Sequence, residues 1–263
     1  MLERLDKVLV DQGHAQSRTQ AQKLIEAGVV LAEIHGQWIP LLKAAQKIPA
    51  DSRLKVGDIA ELRYVSRAGL KLDLALQHIQ SSGALSGDDL NLFLRDASVL
   101  DIGQSTGGFT DCLLQYPVRL VVGIDVGRDQ LAEKLRNNSR VVGLEGINAR
   151  EMPAEALLAY SPSGFDWAVM DVSFISQTLI LPNIPALMKN QGFLLSLVKP
   201  QFEVGVKNIT KGGIVRDAGL YTQVREKITH CAAVAGFKLI RYFDSGITGG
   251  DGNREFFMLC QKP

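Results

Sequence analysis

A doubly wound α/β domain behind a small α+β module is the architecture this sequence predicts, and three observations carry the prediction. From about residue 64 onward, apolar runs of strand length alternate with segments of helical periodicity. Several of those runs contain few polar alternations, the pattern of a parallel sheet covered on both faces. A glycine-rich turn at Gly103, Gly107 and Gly108 joins the first such run to a helical segment.

The small module comes first. Leu5, Val8 and Leu9 fall on one helical face, and Gly13 follows where a left-handed cap fits. Ser17 and Gln20 form a capping-box pattern, Ala21, Leu24 and Ile25 continue an apolar stripe, and Gly28 closes a second short helix. Residues 29–31 read as a strand, and residues 53–63 as a strand, a Gly57-Asp58 turn and another strand. The stretch between them, through Pro40 and Pro49, reads as a long loop. The division expected is 1–62 for this module and 63–263 for the larger domain. Arg4, Lys7, Arg18 and Lys23 lie on the polar side of the helices, with Lys55, Arg63 and Arg67 nearby. Such charges usually form a solvated face; they are also what meets phosphates.

In the larger domain the expected strands are 99–102, 120–125, 141–144, 167–171, 193–199, 238–243 and 256–260. Helical segments are expected at 110–115, 130–136, 175–189 and 220–235, the last with Leu220, Val224, Ile228 and Cys231 on one face and Gly236 at its end. Residues 81–89 read as a polar loop.

Bulk properties narrow the function. The 263 residues carry a formal charge of +1, so RNA or DNA would have to be met by local clusters rather than by a polycationic surface. Cys112, Cys231 and Cys260 match neither a zinc spacing nor a disulfide framework, and no metal cluster is visible. His78 and His230 lie within helical patterns and read as ordinary helix residues. The first residues alternate charges with leucines and lack an export signal, so a reduced, cytoplasmic protein is expected. The most apolar run, 193–198, ends at Lys199, far short of the about 20 residues a membrane span takes.

The turn points to a nucleotide-like cofactor. Asp101, Gly103, Ser105, Thr106, Gly107, Gly108 and Phe109 lie between a strand and a helix, and Asp125 ends the next strand, where a carboxylate can accept both ribose hydroxyls. A dinucleotide and S-adenosylmethionine are both compatible with that pattern. Ser105 stands where a pyrophosphate site normally has glycine, and acidic Asp101 suits a cofactor carrying an ammonium and a sulfonium, which favours S-adenosylmethionine. Asn148, after the third strand, is placed to meet the adenine amino group, although asparagine in a loop is usually turn chemistry.

Asp171 and Lys199 end adjacent strands, and both ends should face the crevice of the glycine-rich turn. These two segments resemble the TlyA family, together with Tyr64 to Leu72, the turn itself and the stretch from Gly249 to Glu255. Members of that family are ribosomal RNA 2′-O-methyltransferases related to the FtsJ group, and some carry the name hemolysin A. Arg4-Leu-Asp, Gly13, Ser17-Arg18, Ala21, Ile25, Gly28-Val29 and Gly57-Asp58 are similar to the S4-like RNA-binding module. The resemblance implies a Rossmann-like class I methyltransferase sheet, mostly parallel with the last strand antiparallel. It implies S-adenosylmethionine as cofactor, with Asp171 also touching it, and a catalytic tetrad of Lys71, Asp171, Lys199 and Glu255. Ribosomal RNA or ribosomal subunits are the implied partner, and cytidine ribose the implied target. Gln104 departs from the alanine common in the turn, and Ala68 from the glycine common before Lys71.

A ribose 2′-hydroxyl is a poor nucleophile until its proton is removed or strongly hydrogen-bonded. The expectation is that Lys199 orients the hydroxyl and takes its proton. Lys71, if close, would favour the neutral amine, and Asp171 and Glu255 would hold the side chains. Phe202, with Lys207, Lys211 and Arg216 around Gly212 and Gly213, could grip a flipped-out nucleotide; each alone reads equally well as a solvated loop residue. Two other functions stand beside this one: an RNA-binding ribosome-assembly factor with an inactive methyltransferase domain, and a hemolysin, which lacks a membrane-seeking segment.

Overall fold

A computed structural model describes residues 2–34, 36–57, 63–85, 89–249 and 252–263, which form two compact units, Met1–Arg63 and Tyr64–Pro263. In the first unit, β1 (Leu2–Arg4) leads into α1 (Leu5–Asp11), and Gly13 turns the chain at φ 77°. The next helix, α2 (Arg18–Glu26), is capped by Ser17, whose Oγ accepts from the Gln20 amide at 3.2 Å. The apolar stripes of both helices bury Leu5, Val8, Leu9, Ala21, Leu24 and Ile25 against Val30, Leu41 and Ile48.

The loop expected between the strands of this unit is partly sheet. Following β2 (Val30–Ile34) come β3 (Gln37–Pro40) and β4 (Lys47–Pro49), then β5 (Leu54–Val56). They assemble as β3-β2-β5 and as the pair β1-β4. Gly36, at φ 77°, lets β3 fold back on β2. Pro40 and Pro49 signalled loop, yet each closes a strand, where a missing N–H interrupts no ladder. The strand expected after the Gly57 turn falls mostly on 58–62, outside the described residues.

The second unit opens with α3 (Arg67–Ser81), which buries Leu70, Leu72, Leu76 and Ile79, and a short α4 (Leu90–Leu94). The strands β6 (Ser98–Ile102), β7 (Leu120–Asp125), β8 (Val141–Glu145), β9 (Phe165–Met170) and β10 (Met188–Val198) are parallel neighbours in the order β10-β9-β6-β7-β8. Beyond β10 the sheet continues to β12 (Phe256–Gln261), antiparallel to it, and then to β11 (Lys238–Asp244). The result is a seven-stranded, mostly parallel α/β sheet whose last strand runs antiparallel. Strand order reverses between β6 and β9, and such a switch point opens a crevice at the carboxyl ends of the strands.

Helices α5 (Gly108–Leu113), α6 (Glu133–Arg136), α7 (Ala154–Leu158) and α8 (Leu220–Val234) cover the sheet. One expected helix is absent. Residues 177–187 form three successive 3₁₀ turns, with Pro182 and Pro185 at their starts. Proline removes the amide that an α-helix would need there and crowds the preceding turn. The apolar spacing is still used, because Ile180, Leu181, Ile184 and Leu187 are buried under the sheet.

Two glycines set the position of α3. A Cβ on Gly69 would lie 2.8 Å from the Gly108 carbonyl oxygen, and one on Gly108 would lie 2.2 Å from Ser66 Oγ. Backbone contact between α3 and α5 is therefore possible only because both positions lack a side chain. Ala68 fits on the same ground, since a Cβ on Gly108 would reach within 3.0 Å of its methyl. Among the described residues no helix is long and apolar enough to cross a membrane.

Candidate active site

The glycine-rich turn is tied to the neighbouring strand from both sides. The amides of Gly103 and Gln104 donate to the Ile124 carbonyl at 2.9 and 3.1 Å. Gly103 has φ 85°, and a Cβ there would lie 2.5 Å from the Asp171 carbonyl oxygen, so only glycine lets the turn pass the end of β9. Ser105 adopts φ 47° without being glycine, a conformation that costs roughly 1–2 kcal/mol. Its hydrogen bonds offset that cost: the amide donates to Asp125 Oδ2 at 2.8 Å and Oγ to Gln130 Oε1 at 3.0 Å. The amide of Gly127 reaches the other Asp125 oxygen at 2.7 Å. Both carboxylate oxygens of Asp125 are thus fixed by backbone, with lone pairs to spare.

A cavity of about 630 Å³ opens beside this carboxylate, lined by Gly103, Ser105, Asp125, Asn148, Asp171 and Phe174 among others. Volume and lining suit a nucleoside-sized ligand. A smaller hollow of about 280 Å³ shares Gly103, Ser105, Asp171 and Ser173 with it and adds Thr106, Gly108, Phe109 and Lys199. A fixed carboxylate at the end of the second parallel strand has the chemistry to hold a ribose diol, so the residues present fit an adenosine cofactor. Asn148 lines the larger cavity while its Oδ1 accepts from the Arg150 amide at 3.0 Å, so it does turn chemistry as well.

Two residues expected at the cofactor lie off the cavity walls. Gly107 (φ 92°) packs against α6, where a Cβ would lie 2.3 Å from Leu135 Cδ1. Asp101 is fully buried, accepting from Thr110 Oγ1 at 2.7 Å, and burial pushes its carboxyl up to about 7. Its Oδ1 has no hydrogen-bond partner among the described residues. Direct contact with a ligand ammonium is therefore not its position in this structure. Gln104 does line the smaller hollow, but its side-chain amide is engaged elsewhere: it donates to Thr110 Oγ1 at 2.9 Å and lies over Gly123, where a Cβ would sit 2.0 Å from Gln104 Cδ.

The expected tetrad resolves into two ion pairs. Lys199 Nζ stands 2.5 Å from Asp171 Oδ1 and donates to Ser173 Oγ at 2.9 Å, on the wall of the smaller hollow. Asp171 Oδ1 lacks a well-aligned hydrogen bond, so this contact is a pairing of charges. Lys71 Nζ donates to Glu255 Oε2 at 2.6 Å, with both side chains below one-tenth exposed and neither on a cavity wall. Like-charge repulsion from Lys71 onto Lys199 presupposes an unpaired ammonium; Glu255 neutralises it.

Behind the wall, Glu203 accepts from Ser176 Oγ at 2.6 Å, the Gln177 amide at 2.8 Å and Lys227 Nζ at 2.9 Å. It thereby ties the loop after Asp171 to the loop after Lys199. Phe174 is the residue that periodicity could not find. It has φ 62°, is 92% exposed, and stands 5.1 Å from Phe202 between ring centroids at the mouth of the cavity. Its one sequence signal is an aromatic three positions after the strand-end carboxylate.

The expected RNA contacts divide. Arg4 and Arg18 both hold buried Asp6, whereas Lys7 is paired with Glu3 of β1 and with Asp11 of its own helix. Arg67 lines the smaller hollow. Lys23 and Arg63 lie in the first unit, on α2 and at its last position.

Comparison with known proteins follows the division of the chain. The FtsJ-like methyltransferase family model matches residues 64–262, and the S4 domain model matches residues 3–31. A Bacillus subtilis protein, YqxC, provisionally described as an rRNA methyltransferase, is 40% identical over 99% of this chain and 86% of its own length. The 16S/23S rRNA (cytidine-2′-O)-methyltransferase TlyA of Mycobacterium tuberculosis is 37% identical over 97% of this chain and 88% of its own. A solved structure from Streptococcus thermophilus bearing a hemolysin name is 38% identical, covers 99% of this chain and 88% of its own, and superposes with a TM-score of 0.69.

Proposed function

This chain belongs to the TlyA family of FtsJ-like methyltransferases with an S4 domain, and from that premise we propose that it methylates a ribose 2′-hydroxyl of ribosomal RNA, on cytidine, using S-adenosylmethionine in the cytoplasm. The observation that carries the reading is the Asp171–Lys199 pair, with Asp171 on the walls of both hollows and Lys199 on the wall of the smaller one. It puts an amine beside the cavity whose other end holds the Asp125 carboxylate.

The cofactor, when bound, supplies an electrophilic methyl group. Asp125 would hold its ribose, Asn148 its adenine, and Gly103, Ser105 and Asp171 would line its path. Lys199 orients the 2′-hydroxyl and takes its proton. A base must be the neutral amine, so Lys199 has to release a proton before it acts, and Asp171 and Ser173 keep Nζ in place through that change. Lys71 and Glu255 support the wall from behind as a neutral pair. Phe174 and Phe202 offer a stacking face for the base of a nucleotide turned out of its helix.

Mapping 2′-O-methylation on ribosomal RNA incubated with the protein and S-adenosylmethionine tests the reading. One or a few cytidines should acquire the mark, and Lys199→Ala should abolish it. RNA binding without methylation by the wild type would instead leave an assembly factor. Lys199→Arg separates base from fixed charge: it keeps the cation and should be as inactive as Lys199→Ala.

A further inference from the structure

The first unit contains a charged cluster built around a buried carboxylate. Asp6, in the opening turn of α1, is 0% exposed. Its Oδ1 accepts from Arg4 Nε at 3.0 Å, and its Oδ2 accepts from Arg4 Nη2 at 2.9 Å, Arg18 Nη2 at 2.9 Å and Gln22 Nε2 at 3.1 Å. A buried carboxylate stabilised by so many donors stays ionised, and the Arg4 hydrogen bonds hold it well below the usual carboxylate range.

The arginines are not buried with it. Their side chains are 44% and 56% exposed, and Asp6 engages only part of each guanidinium. Both bond the same oxygen, so two planar forks stand side by side at the surface with one carboxylate between them. One positive charge is left over. Other paired cations of this unit differ: Lys7 meets two carboxylates, and Arg53 meets Glu33 one to one. Side-by-side guanidiniums with spare N–H groups suit the non-bridging oxygens of a phosphodiester.

We propose that Asp6 is the buried template of a phosphodiester site made by Arg4 and Arg18, which takes a backbone phosphate of the ribosomal RNA substrate. The inference rests on the RNA reading above and adds a positioning residue that carries the wrong charge for RNA. That sign makes it testable. Asp6→Asn raises the net charge by one, and if Asp6 were only a negative charge in the way, RNA would bind more tightly. A template requires the opposite.

The experiment titrates a labelled ribosomal RNA fragment with full-length protein at several salt concentrations, with far-ultraviolet circular dichroism and a thermal melt on each variant. Asp6→Asn should bind about tenfold more weakly, and the slope of log K against log salt should fall by roughly 0.7–0.9 for each phosphate the variant no longer neutralises. Should Asp6→Asn lower the melting temperature, Arg18→Gln carries the test, because Asp6 then keeps its two-pronged Arg4 partner; it should weaken binding several-fold with a reduced slope. Folded variants that bind as tightly as wild type, with unchanged slopes, overturn the site alone. Wild-type protein that does not bind the fragment overturns the RNA reading and the site with it.

Discussion

The two ion pairs of the site each join a lysine to a carboxylate and differ in where they face. Lys71–Glu255 is enclosed, hydrogen-bonded and off the cavity walls, whereas Asp171–Lys199 is slightly more open, poorly aligned and on the wall. An enclosed, hydrogen-bonded pair is held to itself by burial and alignment and has little access to a substrate. One whose alignment is poor keeps capacity to exchange partners. On the proposed reading, support falls to the first pair and chemistry to the second, and that division can be attacked from either side.

The strongest attack is on the open pair. Lys199→Ala should lower the methylation rate by roughly 10²–10⁴-fold, the usual weight of a general base, with cofactor affinity and melting temperature near wild type. Normal turnover would end the base assignment. Next in size is the enclosed pair: Lys71→Ala leaves Glu255 buried without its cation and should cost about 3–5 kcal/mol in denaturant unfolding. Replacing both partners, as Lys71→Met with Glu255→Leu, should restore most of that stability; activity recovered along with it would confine the pair to support.

The carboxylates ending β6 and β7 sharpen the same contrast. Asp125 faces the cavity, so Asp125→Asn should weaken S-adenosylmethionine binding by about 10–100-fold in calorimetry, the worth of one or two charged hydrogen bonds. Asp101 faces inward, and its effect should be smaller and tied to pH. Its folded-state value is raised to about 7. The stability it contributes is therefore present at pH 4 and lost as pH rises toward 7, with a slope of at most about 1.4 kcal/mol per pH unit. Asp101→Asn should flatten that part of the stability–pH curve while leaving the acid limb.

Sequence reading found the elements that local rules write and missed those that depend on a distant partner. The turn at Gly103 and Ser105 and the strand-end position of Asp125 were legible because a tight turn and a strand end each impose residue types at fixed spacing. The strand-end positions of Asp171 and Lys199 were legible for the same reason. Which lysine meets which carboxylate was not, because Lys71 and Glu255 meet across 184 positions of chain. The segment at 175–189 had helical apolar spacing, and Pro182 and Pro185 overrode it. At 37–40 and 47–49, prolines argued for loop while the strands needed partners, β2 and β1, that no local pattern names. Asp101 was placed by residue type beside a cation; its burial comes from packing against Thr110 and α5.

Gln104 fills space that β7 and β8 leave open by carrying glycine. A Cβ on Gly123 would lie 2.0 Å from its Cδ, and one on Gly143 would lie 3.2 Å from its Oε1. Positions 104 and 123 are therefore sterically coupled, and 143 more weakly, because Leu131 Cδ2 at 2.9 Å limits it before Gln104 does. A side chain can be added at 123 in this chain only if residue 104 shrinks or moves, whereas at 143 Leu131 would have to yield as well. Grafted above a strand with a larger residue at position 123, this turn would collide with it, so the turn is transferable only together with that glycine.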